Sequence, residues 1–156
     1  MTFNAEDFLS QSVEGPMSTR IAPVPEGEYE ATIGSEQNDV SVEMIQGRKD
    51  PAKQYPRLTL LWKIRNQPIN QELGRDEITV RDQFLLDVNA DGQLDTGPDR
   101  NVYLGSRREA VGLNDGAFSP AQFRGAGPAL IRVTHRSNDK DPSIKYAEVS
   151  RVVPLR

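Results

Sequence analysis

The sequence contains no cysteine and only one histidine, His135, among its 156 residues. These absences exclude disulfides, thiolate metal sites, a cysteine nucleophile and a histidine-rich metal centre. No run of about eighteen apolar residues occurs, so no membrane-spanning helix is predicted. The first residues are acidic and lack an apolar stretch, which is unlike a secretory signal. We therefore expect a cytoplasmic protein.

Signals for catalysis are also scarce. His135 stands between Thr134 and Arg136 on a predicted strand, and no nucleophile elbow or phosphate-binding glycine motif accompanies it. Asp82 is the one acid among apolar strand neighbours, whereas a two-metal nuclease needs several converging carboxylates. We expect a protein that is not an enzyme and needs no cofactor, with a small metal-dependent nuclease as an alternative.

The segment Asp87–Gly92 resembles the start of a calcium loop, because oxygen-bearing side chains alternate ahead of a glycine. The final ligand position, which requires a bidentate glutamate, is occupied by Pro98. A strand rather than a helix leads into the segment. An Asx-rich turn is the favoured interpretation, and calcium binding by this loop stays open.

The charge is distributed unevenly along the chain. The net charge is −4, but residues 1–50 contain ten acids and three bases, whereas residues 101–156 contain five acids and nine bases. Residues 1–24 are expected to form an acidic, partly flexible N-terminal segment, in which Phe3–Phe8 predicts the start of a short helix with Asn4 as its cap. Residues 25–156 are expected to form one domain.

Two runs, 56–65 and 77–86, alternate between apolar and polar residues and therefore predict β-strands with one buried and one exposed face. Leu58, Leu60, Trp62 and Ile64 share the predicted inner face of the first run. The opposite faces of the two runs contain four basic side chains, Arg57, Lys63, Arg65 and Arg81. Such side chains are common on any half-exposed sheet, but here only Glu77 interrupts them.

The order of elements predicts a mainly β fold. Strands are expected at 28–33, with a continuation at 40–45 after a bend, at the two alternating runs, and at 127–136 and 145–153. A helix is predicted from about Arg100 to Val111 with Asp99 as its cap. A five-stranded barrel with a helix between its third and fourth strands is the order of the OB-fold, which often binds oligonucleotides.

Several motifs along the chain resemble those of a known family. They are 27–33, Phe84–Asp87 running into Leu94–Gly97, the helical segment 101–112, Phe118–Pro120 with Gly125, Arg132–Arg136, and Tyr146–Val149. Together they are similar to the small single-stranded DNA-binding proteins of tailed bacteriophages, which have an OB-fold. The resemblance covers residues 25–153. It implies sequence-independent coating of single strands during phage DNA replication or recombination, in the host cytoplasm.

The predicted nucleic-acid-binding residues combine phosphate-neutralising cations with aromatic rings on which bases can stack. They are Arg57, Lys63, Arg65, Arg81, Arg132, Arg136, Tyr55 and Tyr146. Lys145 and Arg151 also project from the last strand, and Arg107 and Arg108 either contact phosphate or lie on a solvated helix face.

The family resemblance has one departure, because the basic C-terminus ends in Arg156 where many single-stranded DNA-binding proteins have an acidic tail. The acidic N-terminal segment is the candidate contact for replication or recombination proteins, and a homo-oligomer is compatible with the sequence. The alternative function is an OB-like structural or protein-interaction module of a virion or replication complex.

Overall fold

The computed structural model describes residues 2–155, so Met1 and Arg156, which end the two predicted segments, lie outside it. The fold is mainly β, as predicted. Its elements in chain order are α1 (Ala5–Leu9), β1 (Gly27–Ile33), β2 (Val40–Gln46), β3 (Gln54–Arg65), α2 (Pro68–Leu73), β4 (Glu77–Leu85), α3 (Val102–Ala110), β5 (Ala129–Ser137) and β6 (Lys145–Pro154). Two short 3-10 turns lie at Gln37–Asp39 and Pro120–Phe123.

The six strands form one mixed sheet in the order β1-β5-β6-β4-β3-β2. Because β1 also pairs with β3, five of the strands close into a ring, and β2 extends from β3 as an edge strand. All strand pairs are antiparallel except β4 and β6, which run parallel and share a single register pair, Arg81 with Glu148. The ring is therefore closed most weakly between β4 and β6.

The core fills the ring. The side chains predicted on the inner face of the first run, Leu58, Leu60, Trp62 and Ile64, are all buried. The apolar residues that alternate along the second run are buried as well, namely Ile78, Val80, Phe84 and Leu86. Register pairs such as Trp62 with Val80 place these side chains opposite one another on the two strands. The alternation in the sequence therefore predicts the buried face of both strands correctly.

Three details of the predicted element order are wrong. Val40–Gln46 does not continue β1 but forms a separate strand that pairs with β3 alone, after a 3-10 turn. The chain therefore has six strands, and α3 follows the fourth of them. Asp99 does not cap α3, because the helix begins at Val102 after Asn101, which has a left-handed backbone.

Asn101 instead organises the loop before α3. Its side-chain amide donates to the carbonyls of Asp87 and Asp95 at 2.8 Å each, and its own N–H donates to the Asp87 carboxylate at 2.8 Å. The oxygen of the Asn89 side chain accepts the N–H groups of Asp91 and Gln93. Within the calcium-like segment, Asn89 thus binds amides of its own turn, as in an Asx-rich loop, whereas the Asp87 carboxylate accepts from the backbone of Asn101.

A buried ion pair joins α3 to the ring. The Asp82 side chain points inward from β4 and accepts hydrogen bonds from Nε and Nη2 of Arg107, each at 3.0 Å. The indole Nε1 of Trp62 donates to the same carboxylate at 3.1 Å. Asp82 and Arg107 are 1% and 4% exposed. Arg107 therefore neither contacts phosphate nor lies on a solvated face, and both interpretations offered for it are wrong.

Arg108 is also engaged within the fold. Its guanidinium lies 4.4 Å from the centre of the Phe118 ring and donates to the carbonyls of Leu113 and Gly116. It packs the loop after α3 against the helix. None of the helices within residues 2–155 is long and apolar enough to cross a lipid bilayer.

Removing one partner of the buried pair should destabilise the protein strongly. We expect Arg107→Leu to lower the free energy of unfolding by about 3–5 kcal/mol, because the Asp82 carboxylate would remain buried without its cation. The double variant Asp82→Leu with Arg107→Leu should recover much of that loss, since no charge is left buried. Urea unfolding of the two variants and the parent measures both values. A single variant within about 1 kcal/mol of the parent would contradict the assignment.

Candidate nucleic-acid interface

The outer face of β3 and β4 is defined here as the solvent side of the two strands, from Arg57 and Leu85 at one end to Arg65 and Glu77 at the other. The cations predicted on this face do project outward, but most have an acidic partner. Arg65 Nε lies 2.8 Å from Glu77 Oε2, and Arg57 pairs with Glu43. The face is therefore less basic than its sequence suggests.

Lys63 is the most constrained of these cations. Its Nζ lies 3.3 Å from Glu77 Oε1 and 3.6 Å from Asp39 Oδ1, and it donates to Thr79 Oγ1 at 3.0 Å. The Lys63 side chain is only 13% exposed. Sequence analysis missed Glu43 and Asp39 as partners because it did not pair β2 with β3.

Arg81 differs from the other three cations of the outer face. Its side chain is exposed, and within residues 2–155 no carboxylate lies within 4.0 Å of it. Glu148, its register partner on β6, pairs instead with Arg136 at 3.4 Å. Arg81 is therefore available to bind an external anion.

Arg81 lines a groove of about 880 Å³. We call it the seam groove because it lies where β4 and β6 diverge. Its walls are the start of β4, the loop between β5 and β6 with the flanking strand ends, and the segment 21–24. Five cations but only one acid, Asp139, line it. The cations are Arg75, Arg81, Arg136, Lys140 and Lys145. The seam groove therefore has an excess of positive charge.

Tyr146 supplies an aromatic surface in the seam groove. The residue is 41% exposed, and its ring lies 6.0 Å from the Arg136 guanidinium carbon. Its hydroxyl accepts a hydrogen bond from the Asn138 amide at 2.9 Å. The Asn138 carboxamide oxygen also accepts the N–H groups of Lys140 and Asp141. One asparagine thus fixes both the loop conformation and the position of the ring.

The segment 21–24, called the strap, forms the remaining wall. Val24 is 2% exposed and belongs to the core, and its carbonyl lies 2.7 Å from His135 Nε2. Arg75 donates to the carbonyl of Ala22 at 2.8 Å. Tyr29 donates its hydroxyl to the Pro25 carbonyl at 2.7 Å, and burial raises the pKa of this phenol. His135 thus has a structural contact to the strap.

The remaining predicted residues lie outside the seam groove. Arg132 is 3.9 Å from Glu28 and faces a separate hollow of about 630 Å³. Tyr55 is 38% exposed and lies on β3 just beyond the Arg57 end of the outer face, roughly 20 Å along the sheet from Arg81 at the usual strand rise. The structure brings together Arg81, Arg136 and Tyr146 but not Tyr55 or Arg132.

Sequence analysis missed Arg75 and Lys140 as groove residues. Arg75 follows α2 in a turn, and Lys140 lies in the loop between β5 and β6. Neither residue belongs to a periodic pattern. The one sequence signal for a shared location is that both lie close to the ends of predicted strands. Asp82, the carboxylate considered for a nuclease, is buried and forms an ion pair with Arg107. Within the described residues, no three or more histidine, aspartate or glutamate side chains are grouped to hold a metal ion.

Comparison of the chain with protein-family models, with curated proteins and with solved structures finds no match.

The ion pairs of the outer face predict a specific titration behaviour. Hydrogen bonds from Arg65 lower the pKa of Glu77 below its usual value of 4.5. Desolvation opposes this shift, and contacts with Lys63 add to it. Because this pKa is lower in the folded state, Glu77 stabilises the fold above its unfolded pKa. That stabilisation is lost as the pH falls through the folded pKa. NMR titration should show the Glu77 carboxyl shifted downward, and Arg65→Gln should return it towards 4.5. An unchanged Glu77 pKa in that variant would contradict the pairing.

Proposed function

We propose that the ring of five strands is an OB-fold and that the protein binds single-stranded DNA without sequence preference. The connectivity supports the fold: β1 pairs with both β3 and β5, β4 pairs in parallel with β6, and α3 connects β4 to β5. If β2 is treated as an insertion in the first connection, the ring has the five-stranded Greek-key order of an OB-fold, with α3 between its third and fourth strands as the sequence predicts.

The seam groove is the observation that supports DNA binding most strongly. Five cations against one acid favour a polyanion, and phosphate neutralisation by such side chains gives affinity without sequence information. The exposed ring of Tyr146 can stack on a base only if that base is unpaired. A groove that combines both features favours a single strand over a duplex.

The outer face of β3 and β4 has a secondary role in this proposal. A phosphate that approaches Arg57 or Arg65 must compete with the carboxylate already bound there. Exposed ion pairs of this kind are weak, typically below about 1 kcal/mol, so a polyanion can exchange with them. We therefore assign the principal contacts to Arg81, which has no carboxylate partner within residues 2–155, and to Arg136, which lines the seam groove beside Tyr146. A phosphate at Arg136 must also displace Glu148, which lies 3.4 Å away in an exposed pair. The outer face extends the path of the DNA strand towards Tyr55.

The biological setting follows from the resemblance of residues 25–153 to phage single-stranded DNA-binding proteins. On that basis the protein coats single strands during phage DNA replication or recombination in the host cytoplasm. Coating requires tolerance of any base, which stacking and phosphate contacts provide.

Loss of the groove arginines should weaken binding and reduce its salt dependence. We expect Arg81→Ala with Arg136→Ala to lower the affinity for oligo-dT roughly tenfold at low salt. Each lost phosphate contact should also reduce the slope of log affinity against log salt by about 0.7. Fluorescence anisotropy at several salt concentrations measures both quantities.

The charge-matched control for this experiment is Arg100→Ala with Arg151→Ala, which removes two exposed arginines outside the seam groove and the outer face. It should bind oligo-dT almost as well as the parent. Equal losses in the control and in the groove variant would mean that only net charge matters. An unaffected groove variant would contradict the assignment of the site.

Tyr146 should contribute by stacking rather than by its hydroxyl. We expect Tyr146→Ala to reduce the free energy of oligo-dT binding by about 1–3 kcal/mol, whereas Tyr146→Phe should retain most of it because the ring remains. The same anisotropy titration separates the two variants. If Tyr146→Phe loses as much affinity as Tyr146→Ala, the hydrogen bond to Asn138 is the important feature and the stacking role is wrong.

A further inference from the structure

The N-terminal arm, defined as residues 2–20, presents apolar side chains that nothing within the described chain covers. Phe3, Phe8 and Leu9 are 73%, 58% and 76% exposed, and α1 contains no buried residue. The rings of Phe3 and Phe8 pack on each other, with centroids 5.6 Å apart. A cluster of this kind on a monomer usually marks a surface that binds a partner.

The edge strand β2 presents a second uncovered surface. It pairs with β3 along Val40–Gln46, and its other edge has no strand partner within residues 2–155. Val42 and Met44 are 52% and 56% exposed. An open edge with exposed apolar side chains can pair with an added chain segment. Natural proteins normally cover or block such an edge.

The charges around the two surfaces are complementary. The arm contains the acids Glu6, Asp7 and Glu14 and one base, Arg20. The hairpin turn at the end of β2, residues 47–53, contains three bases and one acid. An acidic apolar segment therefore matches an apolar edge that is flanked by basic residues.

The arm is long enough to reach a neighbouring molecule. The eleven residues between α1 and the strap span up to about 36 Å when extended. A folded body of this size has a radius of gyration of about 14 Å, so the reach is comparable to the width of the body. Within residues 2–155 of one chain, however, the apolar side chains of the arm and those of β2 both remain exposed.

We infer that the N-terminal arm of one copy binds the β2 edge of a second copy. Phe8 and Leu9 cover Val42 and Met44, and the acids of the arm face the basic hairpin turn. The two surfaces differ, so the contact is head-to-tail and can continue from copy to copy without closing. The inference does not depend on nucleic-acid binding, and its test contains no DNA.

The test is sedimentation equilibrium of the full chain at increasing concentration. The parent mass should rise above the 17.4 kDa of one chain. The arm variant, Phe8→Ser with Leu9→Ser, and the edge variant, Val42→Thr with Met44→Thr, should each weaken self-association about tenfold or more. Mixing the two variants should give a complex of two copies that grows no further, because each contributes one intact surface.

The control is Val102→Thr, which changes an exposed valine outside both surfaces and should associate like the parent. Circular dichroism and thermal unfolding should show that all variants are folded. A parent that stays monomeric at every concentration would overturn the inference. So would an arm variant that associates like the parent, because β2 would then pair with β2, and so would mixed variants that fail to form a complex.

Discussion

The buried ion pair between Asp82 and Arg107 is the interaction on which the rest of the architecture depends. A carboxylate and a guanidinium taken out of water are tolerated only when each is paired and hydrogen-bonded, and here Trp62 adds a third donor. The pair connects α3 to the centre of β4. Since side chains alternate along a strand, the inward position of Asp82 places Arg81 on the outside. The anchor inside the ring thus positions a cation at the seam groove.

The seam groove exists because the ring closes with little pairing between β4 and β6. Their single register pair, Arg81 with Glu148, leaves the beginnings of the two strands apart. The strap lines this opening, with Val24 buried in the core. Cations from β4, from β5 and from the loop before β6 line the groove that this divergence leaves. Strand closure and anion binding are therefore consequences of one geometric feature.

The sequence predicts local features better than it predicts contacts between distant elements. Alternation alone identifies β3 and β4 and their buried faces, because apolar residues such as Leu58 and Leu60 recur at the two-residue period of a strand. It also marks Asp82 as unusual. It does not reveal that Arg107, twenty-five residues later, is its partner.

The candidate site shows the same limit. Arg81, Arg136 and Tyr146 could be chosen by strand position, and they converge. Arg75 and Lys140 could not, because turns and loops have no period. Glu43, which pairs with Arg57, lies on β2, and Asp39, which pairs with Lys63, lies in the turn before β2. Because the sequence did not place β2 beside β3, it did not reveal these acidic partners. Charge on one strand is therefore a poor guide to the charge of a surface.

The central claim is that the seam groove binds single-stranded DNA. The most direct measurement is a two-dimensional amide NMR titration of the isotope-labelled protein with oligo-dT, followed by a duplex of equal length. The account predicts that oligo-dT at low salt shifts the amides of Thr79–Arg81 and Arg136–Tyr146 first and most, and that the duplex shifts them far less. Shifts confined to other surfaces, equal shifts with duplex, or no shifts at all would contradict it.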